Sequence, residues 1–190
     1  FYLLIIISIF FLFFSFNRDF SINFLAISSS MSNIGFSLGK EQSNLNFIYL
    51  ILVIIGGSFF STSSGLRFIK IYSLFKYSIN QILSFSKPKN IFMNRLLFTK
   101  INFNFKEINK YFLSFLIFII SLFVLTILLT LSEINFENAF KLSILTLMNT
   151  VNSSAYGISG FEFYNLHYFT KYCLILFMII GRIELLTVLI

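Results

Sequence analysis

The sequence has little charge, one cysteine, one histidine and one proline, and it has no tryptophan. Charged residues make up 11% of its 190 residues, against about 25% in an ordinary soluble domain. A single Cys and a single His exclude a disulfide framework and disfavour a zinc site, which needs several such ligands. The apolar runs also lack a His or Asp beside a nucleophile, so we expect no enzyme.

What the sequence has instead is apolar surface, since 57% of its residues are hydrophobic and 29 are Phe. Two runs, 111–131 and 169–190, are long and apolar enough to cross a membrane. The first run, 1–16, would reach about 24 Å as a helix, short of the roughly 30 Å hydrocarbon core. We therefore expect an all-α integral membrane protein in contact with lipid, and we expect this chain to be part of a longer one.

The net charge of +7 is concentrated in the middle of the chain. Between Arg67 and Lys110 lie nine basic residues and one acidic residue, Glu107. Such an excess of Lys and Arg beside apolar runs places a segment in the cytoplasm, and it explains the charge without nucleic acid. Residues 86–109, which hold Pro88, are the predicted cytoplasmic linker.

The two sides of this linker repeat one order of segments. Each has a membrane helix, a half-length helix, a glycine-centred loop and a further membrane helix. The first copy, residues 1–85, comprises 1–16, 20–31, 32–39 and 45–85, and the second, residues 110–190, comprises 111–131, 136–150, 153–160 and 167–190. Both loops would lie on the side opposite the linker, which is the outside.

The helix predicted over 45–85 is broken. An apolar stub that ends at Ile55 runs into small and hydroxyl residues between Gly56 and Gly65. A break at membrane depth is tolerated only where the backbone faces protein or a water-filled cavity. This favours a pore or substrate path, and the alternative is a flexible turn between two interfacial helices.

A half-length helix followed by a glycine loop is suited to holding a dehydrated cation. Backbone carbonyl oxygens replace the hydration shell, and glycine permits the dihedral angles that this requires. The helix also directs its partially negative C-terminal end towards the site, a contribution of about 0.3–1 kcal/mol. The same orientation disfavours anions.

Three stretches resemble the Trk/Ktr family of potassium-uptake pore subunits. They are the loops around Gly35 and Gly157, the small-residue segment 56–70, and the ending 181–189 with its Gly-Arg-Ile-Glu-Leu-Leu-Thr sequence. The resemblance implies that the chain holds the third and fourth of four helix, pore-loop, helix repeats around one pore. It further implies a filter for K⁺, the transported ion, made by Asn33, Ile34, Gly35, Ala155, Tyr156 and Gly157. A gate would comprise Gly56, Gly57, Ser58, Ser61, Thr62, Gly65 and Arg182.

The resemblance also implies a multi-pass protein of the cell (inner) membrane, a homodimer, a cytoplasmic nucleotide-binding regulatory subunit and no covalent cofactor. Three residues depart from the family pattern. Phe60 and Ser64 stand where glycine is usual, and Tyr156 stands where a smaller aliphatic residue is usual. Two alternatives therefore stay open: a secondary transporter for another substrate, and a non-conducting remnant of a potassium pore.

Overall fold

The computed structural model describes residues 8–9, 12, 20–36, 46–55, 66, 68–86, 105–150, 156–158 and 163–182. Within these ranges the regular structure is helical and contains no strand. The six helices are α1 (Phe20–Met31), α2 (Asn46–Ile55), α3 (Phe68–Ser86), α4 (Phe105–Thr130), α5 (Phe136–Leu147) and α6 (Tyr168–Arg182), with a 3₁₀ turn at Phe163–Asn165. The described part of the chain is therefore all-α, as its composition predicts.

Helix α4 is the longest, with 26 residues. Over Glu107–Thr130 it is long and apolar enough to cross a membrane, the one such helix within the described ranges. It begins at Phe105, so the last part of the predicted linker, 105–109, is helical. Ile108 is buried in the packed structure, and Glu107 in the first turn interacts favourably with the helix dipole. These two side chains explain the earlier start.

Helices α1 and α5 have 12 residues each, or about 18 Å at 1.5 Å per residue. That is little more than half of a roughly 30 Å hydrocarbon core. Helix α5 contacts α2, α4 and α6, and its residues from Leu142 to Met148 are all buried. It ends three residues before the predicted bound at 150, because the backbone of Asn149 turns to a positive φ.

Helices α2 and α3 lie before and after the predicted gate segment. Helix α2 packs on α1 and α5, with Tyr49, Leu50, Leu52 and Val53 buried, and α3 packs on α4. Helix α6 begins one residue after the predicted start at 167. Of the helix predicted over 1–16 the structure describes Ser8, Ile9 and Leu12, all helical. Residues 183–190, the end of the helix predicted over 167–190, lie outside the described residues. The division of the chain into repeats, filters and linker stays a prediction.

Candidate functional site

The end of α1 is a tight turn built around Asn33. The backbone N–H of Asn33 donates to Ser30 O at 3.3 Å, and that of Ile34 donates to Ser29 O at 3.1 Å. Asn33 has φ 57°, a left-handed conformation that asparagine tolerates better than most residues. This pair of bonds is the Schellman motif, which satisfies carbonyl groups that a helix end otherwise leaves unpaired.

The end of α5 repeats this turn bond for bond. The backbone N–H of Asn149 donates to Thr146 O at 3.1 Å, and that of Thr150 donates to Leu145 O at 2.9 Å. Asn149 has φ 53°. We call Ser32, Asn33 and Ile34 the first Asn corner, and Met148, Asn149 and Thr150 the second Asn corner. The two half-length helices therefore end in the same local geometry.

Each corner is also tied by its asparagine side chain to the helix that follows. In the amide orientation that satisfies both atoms, Asn33 Nδ2 donates to Val53 O at 3.3 Å and to Ser30 O at 3.0 Å. Asn149 Nδ2 donates to Met178 O at 3.0 Å. Val53 precedes Gly56 by three positions, as Met178 precedes Gly181. The repeat thus extends from the helix ends to their side-chain contacts.

The predicted filter glycines follow the two corners at different distances along the chain. Gly35 is buried and has φ 80°, and the next residue, Phe36, donates its N–H to Ser29 Oγ at 2.6 Å. Gly157 has φ 70°. Both glycines therefore adopt the left-handed backbone that a β-carbon would disfavour.

Tyr156 connects the second loop to the first half-length helix. Its side chain is fully buried, and its hydroxyl lies 3.5 Å from Ser30 Oγ, a long hydrogen bond. Ser30 itself donates to Ala26 O at 2.7 Å. The structure therefore brings Tyr156 to the last turn of α1, close in sequence to the predicted ligands Asn33 and Ile34. Ala155 lies outside the described residues.

The charge distribution leaves both helix ends negative. Neither α1 nor α5 has a basic residue in its last turn, so neither helix offsets the partial negative charge of its dipole with a side chain of its own. On α5, Lys141 and Glu137 form an ion pair within the first two turns. The hydrogen bond from Lys141, and next its positive charge, lower the pKa of the exposed Glu137 carboxyl below its ordinary value. The dipole of each helix by itself favours a cation over an anion at that end.

Of the residues predicted to form the gate, the structure describes Arg182. Gly56, Gly57, Ser58, Ser61, Thr62 and Gly65 lie outside the described residues. Arg182 is exposed and is the last residue of α6. Beside it, Gly181 lies against the end of α5, where a β-carbon would come within 2.3 Å of Leu147 O. Within the described part of the chain, no group of His, Cys, Asp or Glu side chains could hold a metal ion.

The correspondence between Asn33 and Asn149 was not predicted from the sequence. A signal for it exists, because a polar Asn follows each half-length apolar segment at 33 and 149. When the two loops are aligned on Gly35 and Gly157, the two asparagines do not coincide. Asn33 precedes Gly35 by two positions, whereas Asn149 precedes Gly157 by eight.

Comparison with known protein families gives a match that includes both Asn corners and all the predicted site residues. The model of the TrkH family, described as a cation transport protein, matches residues 20–190. The chain belongs to the TrkH family. The resemblance to Trk/Ktr potassium transporters is thereby confirmed, and with it a transporter family of membrane proteins rather than a class of enzymes. No curated protein matches the chain.

Proposed function

We propose that this TrkH-family chain forms part of a gated pore that carries potassium ions into the cell, with backbone carbonyl oxygens as ligands. The observation that carries the proposal is the pair of Asn corners. Two half-length helices end in the same hydrogen-bond pattern, and neither has a basic residue in its own last turn. Such ends favour a cation, and potassium is the ion that the family resemblance implies.

The proposed filter takes one segment from each repeat. Asn33, Ile34 and Gly35 supply the first, and Ala155, Tyr156 and Gly157 supply the second. The positive φ of Gly35 and of Gly157 supports this choice. When left-handed and right-handed backbone conformations alternate, successive carbonyl oxygens can face the same axis. The proposed gate is the segment from Gly56 to Gly65 together with Arg182.

The setting of this pore is proposed from sequence. We place the chain in the cell (inner) membrane as a multi-pass protein, and we expect a homodimer with a cytoplasmic nucleotide-binding regulatory subunit docked on the basic linker. The basic residues of the linker support the docking surface, although topology control explains them equally well. The mass of the detergent-solubilised particle measures the dimer, and a monomeric mass would contradict it.

The proposal is tested by Rb⁺ and K⁺ uptake into cells that lack their own potassium uptake and express the complete gene. Gly35→Val and Gly157→Val should each reduce uptake by about tenfold or more. A β-branched residue at positive φ is a steric outlier, so the backbone must leave the conformation that presents its carbonyls. Ser28→Val is the matched control, since Ser28 is an exposed helical residue on α1.

Three outcomes separate the alternatives. Uptake lost in both glycine variants and kept in Ser28→Val, at equal membrane levels, supports the filter. Normal uptake in the glycine variants overturns the filter assignment. No uptake by the unaltered protein, with its presence in the membrane confirmed, overturns potassium transport and favours a non-conducting remnant or another substrate.

A further inference from the structure

Two neighbouring serines in the last turn of α1, Ser29 and Ser30, each contact a different proposed filter segment. Ser29 is 6% exposed and Ser30 is fully buried. Ser29 Oγ accepts the backbone N–H of Phe36, in the first loop, at 2.6 Å. Ser30 Oγ lies 3.5 Å from the hydroxyl of Tyr156, in the second loop. One turn of one helix therefore contacts both loops.

The bond to Ser29 orients a proposed ligand. The N–H of Phe36 and the carbonyl of Gly35 belong to one peptide group, which is planar and trans, so that its N–H and C=O point to opposite sides. Because the N–H is directed at Ser29 Oγ, the Gly35 carbonyl oxygen is directed to the opposite side. Glycine has the widest choice of backbone conformations, and this bond selects one of them.

The bond to Ser30 positions the second loop through a side chain. Ser30 donates its own proton to Ala26 O at 2.7 Å, so its oxygen is the acceptor for the hydroxyl of Tyr156. The ring of Tyr156 is fully buried in the core, where close packing restricts its movement. The side chain of Tyr156 therefore connects to α1, while its backbone carbonyl is a proposed ligand of the ion.

Comparison of the two half-length helices shows that this arrangement is not repeated on α5. When the two Asn corners are aligned, Leu145 corresponds to Ser29 and Thr146 corresponds to Ser30. Leu145 is apolar, so α5 offers no hydroxyl at the position that holds the first loop. The second loop contacts α1 instead, through Tyr156, which stands where the family usually has a smaller aliphatic residue.

We propose that Ser29 and Ser30 are positioning residues that hold the two filter segments at a fixed separation, and that they thereby set the preference among alkali cations. This rests on the proposed function. Neither serine is a ligand of the ion; each acts through the loop that it contacts. Cation preference depends on the size of the carbonyl cage or on the number of carbonyls that reach the ion, and both change when one segment moves relative to the other.

The test removes each contact separately, with Ser29→Ala for the first loop and Tyr156→Phe for the second. Ser28→Ala is the matched serine control, since Ser28 is an exposed neighbour whose hydroxyl donates to Leu25 O. Tyr164→Phe is the matched tyrosine control, since Tyr164 is 90% exposed. Each variant of the complete protein is assayed for Rb⁺ uptake, for competition by Na⁺, for its level in the membrane and for thermal stability in detergent.

Ser29→Ala should shift the Rb⁺/Na⁺ preference towards Na⁺ by about tenfold, equivalent to ~1.4 kcal/mol. Tyr156→Phe should shift it by about threefold, because the bond that it removes is long. Adding Ser30→Ala to Tyr156→Phe should change nothing more, since both remove the same contact. The two controls should behave as the unaltered protein.

A second pair of variants separates the hydroxyl of Ser29 from the shape of its side chain. Ser29→Thr keeps the hydroxyl and should keep the preference, whereas Ser29→Val has the shape of threonine without the hydroxyl and should shift the preference as Ser29→Ala does. This pair also replaces Ser29→Ala if that variant is absent from the membrane.

A shifted preference in both Ser29→Ala and Tyr156→Phe, with unchanged controls, supports the proposal. A shift in only one of them overturns it, because the two segments then do not share α1 as their support. Lower thermal stability with unchanged preference also overturns it, since the two contacts then serve packing alone, and potassium transport by the unaltered protein stands. An unaltered protein that takes up no Rb⁺ overturns the proposed function and this inference together.

Discussion

Asn33 and Asn149 each have two roles, one through the backbone and one through the side chain. Their backbones take the left-handed conformation that ends a half-length helix, which costs most other residues about 1–2 kcal/mol. Their amides then reach a carbonyl of the next helix, Val53 O or Met178 O. An interhelical hydrogen bond in a membrane protein contributes about 0.6 kcal/mol on average. These two bonds therefore add little to the free energy of unfolding, and their main effect is to position the helix ends.

Arg182 allows a prediction about gating at the scale of one residue. Arg182→Ala should change open probability by about tenfold, a ~1.4 kcal/mol shift between closed and open states. A charged side chain inside a spanning helix costs about 2.5–3.5 kcal/mol on insertion scales. A partner group must offset this cost, and we expect the contact between Arg182 and that partner to differ between the closed and open states. Single-channel or flux recordings measure the opening, and ion competition measures the K⁺/Na⁺ preference, which should not change.

The control for Arg182 is Lys171→Ala, which removes the same charge near the start of α6. Lys171 donates to Tyr164 O and lies over the rings of Tyr164 and Tyr168, a surface arrangement at the other end of the helix. It should leave opening unchanged. An altered K⁺/Na⁺ preference with normal opening in Arg182→Ala would contradict the placement of Arg182 at the gate.

At the scale of elements, the central contact is that of α5 with α4 and α6. Small residues make it possible: Ala139 and Ser143 are fully buried, and Ser143 Oγ lies 3.1 Å from Thr126 Oγ1 on α4. Helix packing in membranes uses small residues because lipid supplies no hydrophobic drive between helices. Helix α5 is therefore enclosed by its neighbours, which fixes where its end can lie.

Gly181→Ala tests the contact between α5 and α6. Its β-carbon would come within 2.3 Å of Leu147 O, closer than any real contact, so one of the two helices must move. Overpacking of this kind costs typically about 1–3 kcal/mol, and we expect lower thermal stability in detergent together with reduced Rb⁺ uptake. Both effects follow because the displaced turn carries the second Asn corner.

A shortened side chain on the exposed face of the same helix is the control for Gly181→Ala. Ile179→Ala lies two residues earlier, where Ile179 is 56% exposed, and it should change stability and uptake little. If Gly181→Ala were as stable and as active as Ile179→Ala, the close approach of α6 to the end of α5 would not exist in the working protein.

Helices were more predictable from this sequence than the site at their ends. Apolar runs and polar breaks predict α1 over 20–31, and the structure has Phe20–Met31. The start of α4 was placed six residues late, since Phe105 and Ile108 belong to a segment whose charge indicated a linker. The shared geometry of Asn33 and Asn149 was not predictable, because it depends on φ angles and on amide bonds to helices 20 or more residues away.

At the scale of the whole molecule, apolar side chains cover both the interior and much of the outside. Buried residues such as Val53, Leu125, Leu145 and Tyr156 belong to one core that spans both predicted repeats. Others on α4, among them Phe123 and Ile127, are more than half exposed. An outer surface this apolar is suited to lipid. Composition alone indicated this setting, whereas the packing of α2 on α5, which lie in different predicted repeats, has no signature in the sequence.

Topology gives the last prediction. In a Cys173→Ser background, which removes the chain's single cysteine, Leu131→Cys should react with a membrane-impermeant maleimide in intact cells, and Lys89→Cys should react only in inside-out vesicles. Leu131 is 77% exposed at the end of α4, and Lys89 lies in the predicted linker, whose excess of Lys and Arg predicts a cytoplasmic location. Rb⁺ uptake by each variant confirms that it is folded. Labelling of Lys89→Cys from outside would reverse the orientation and place both Asn corners on the cytoplasmic side, where neither could be the outer filter of an uptake pore.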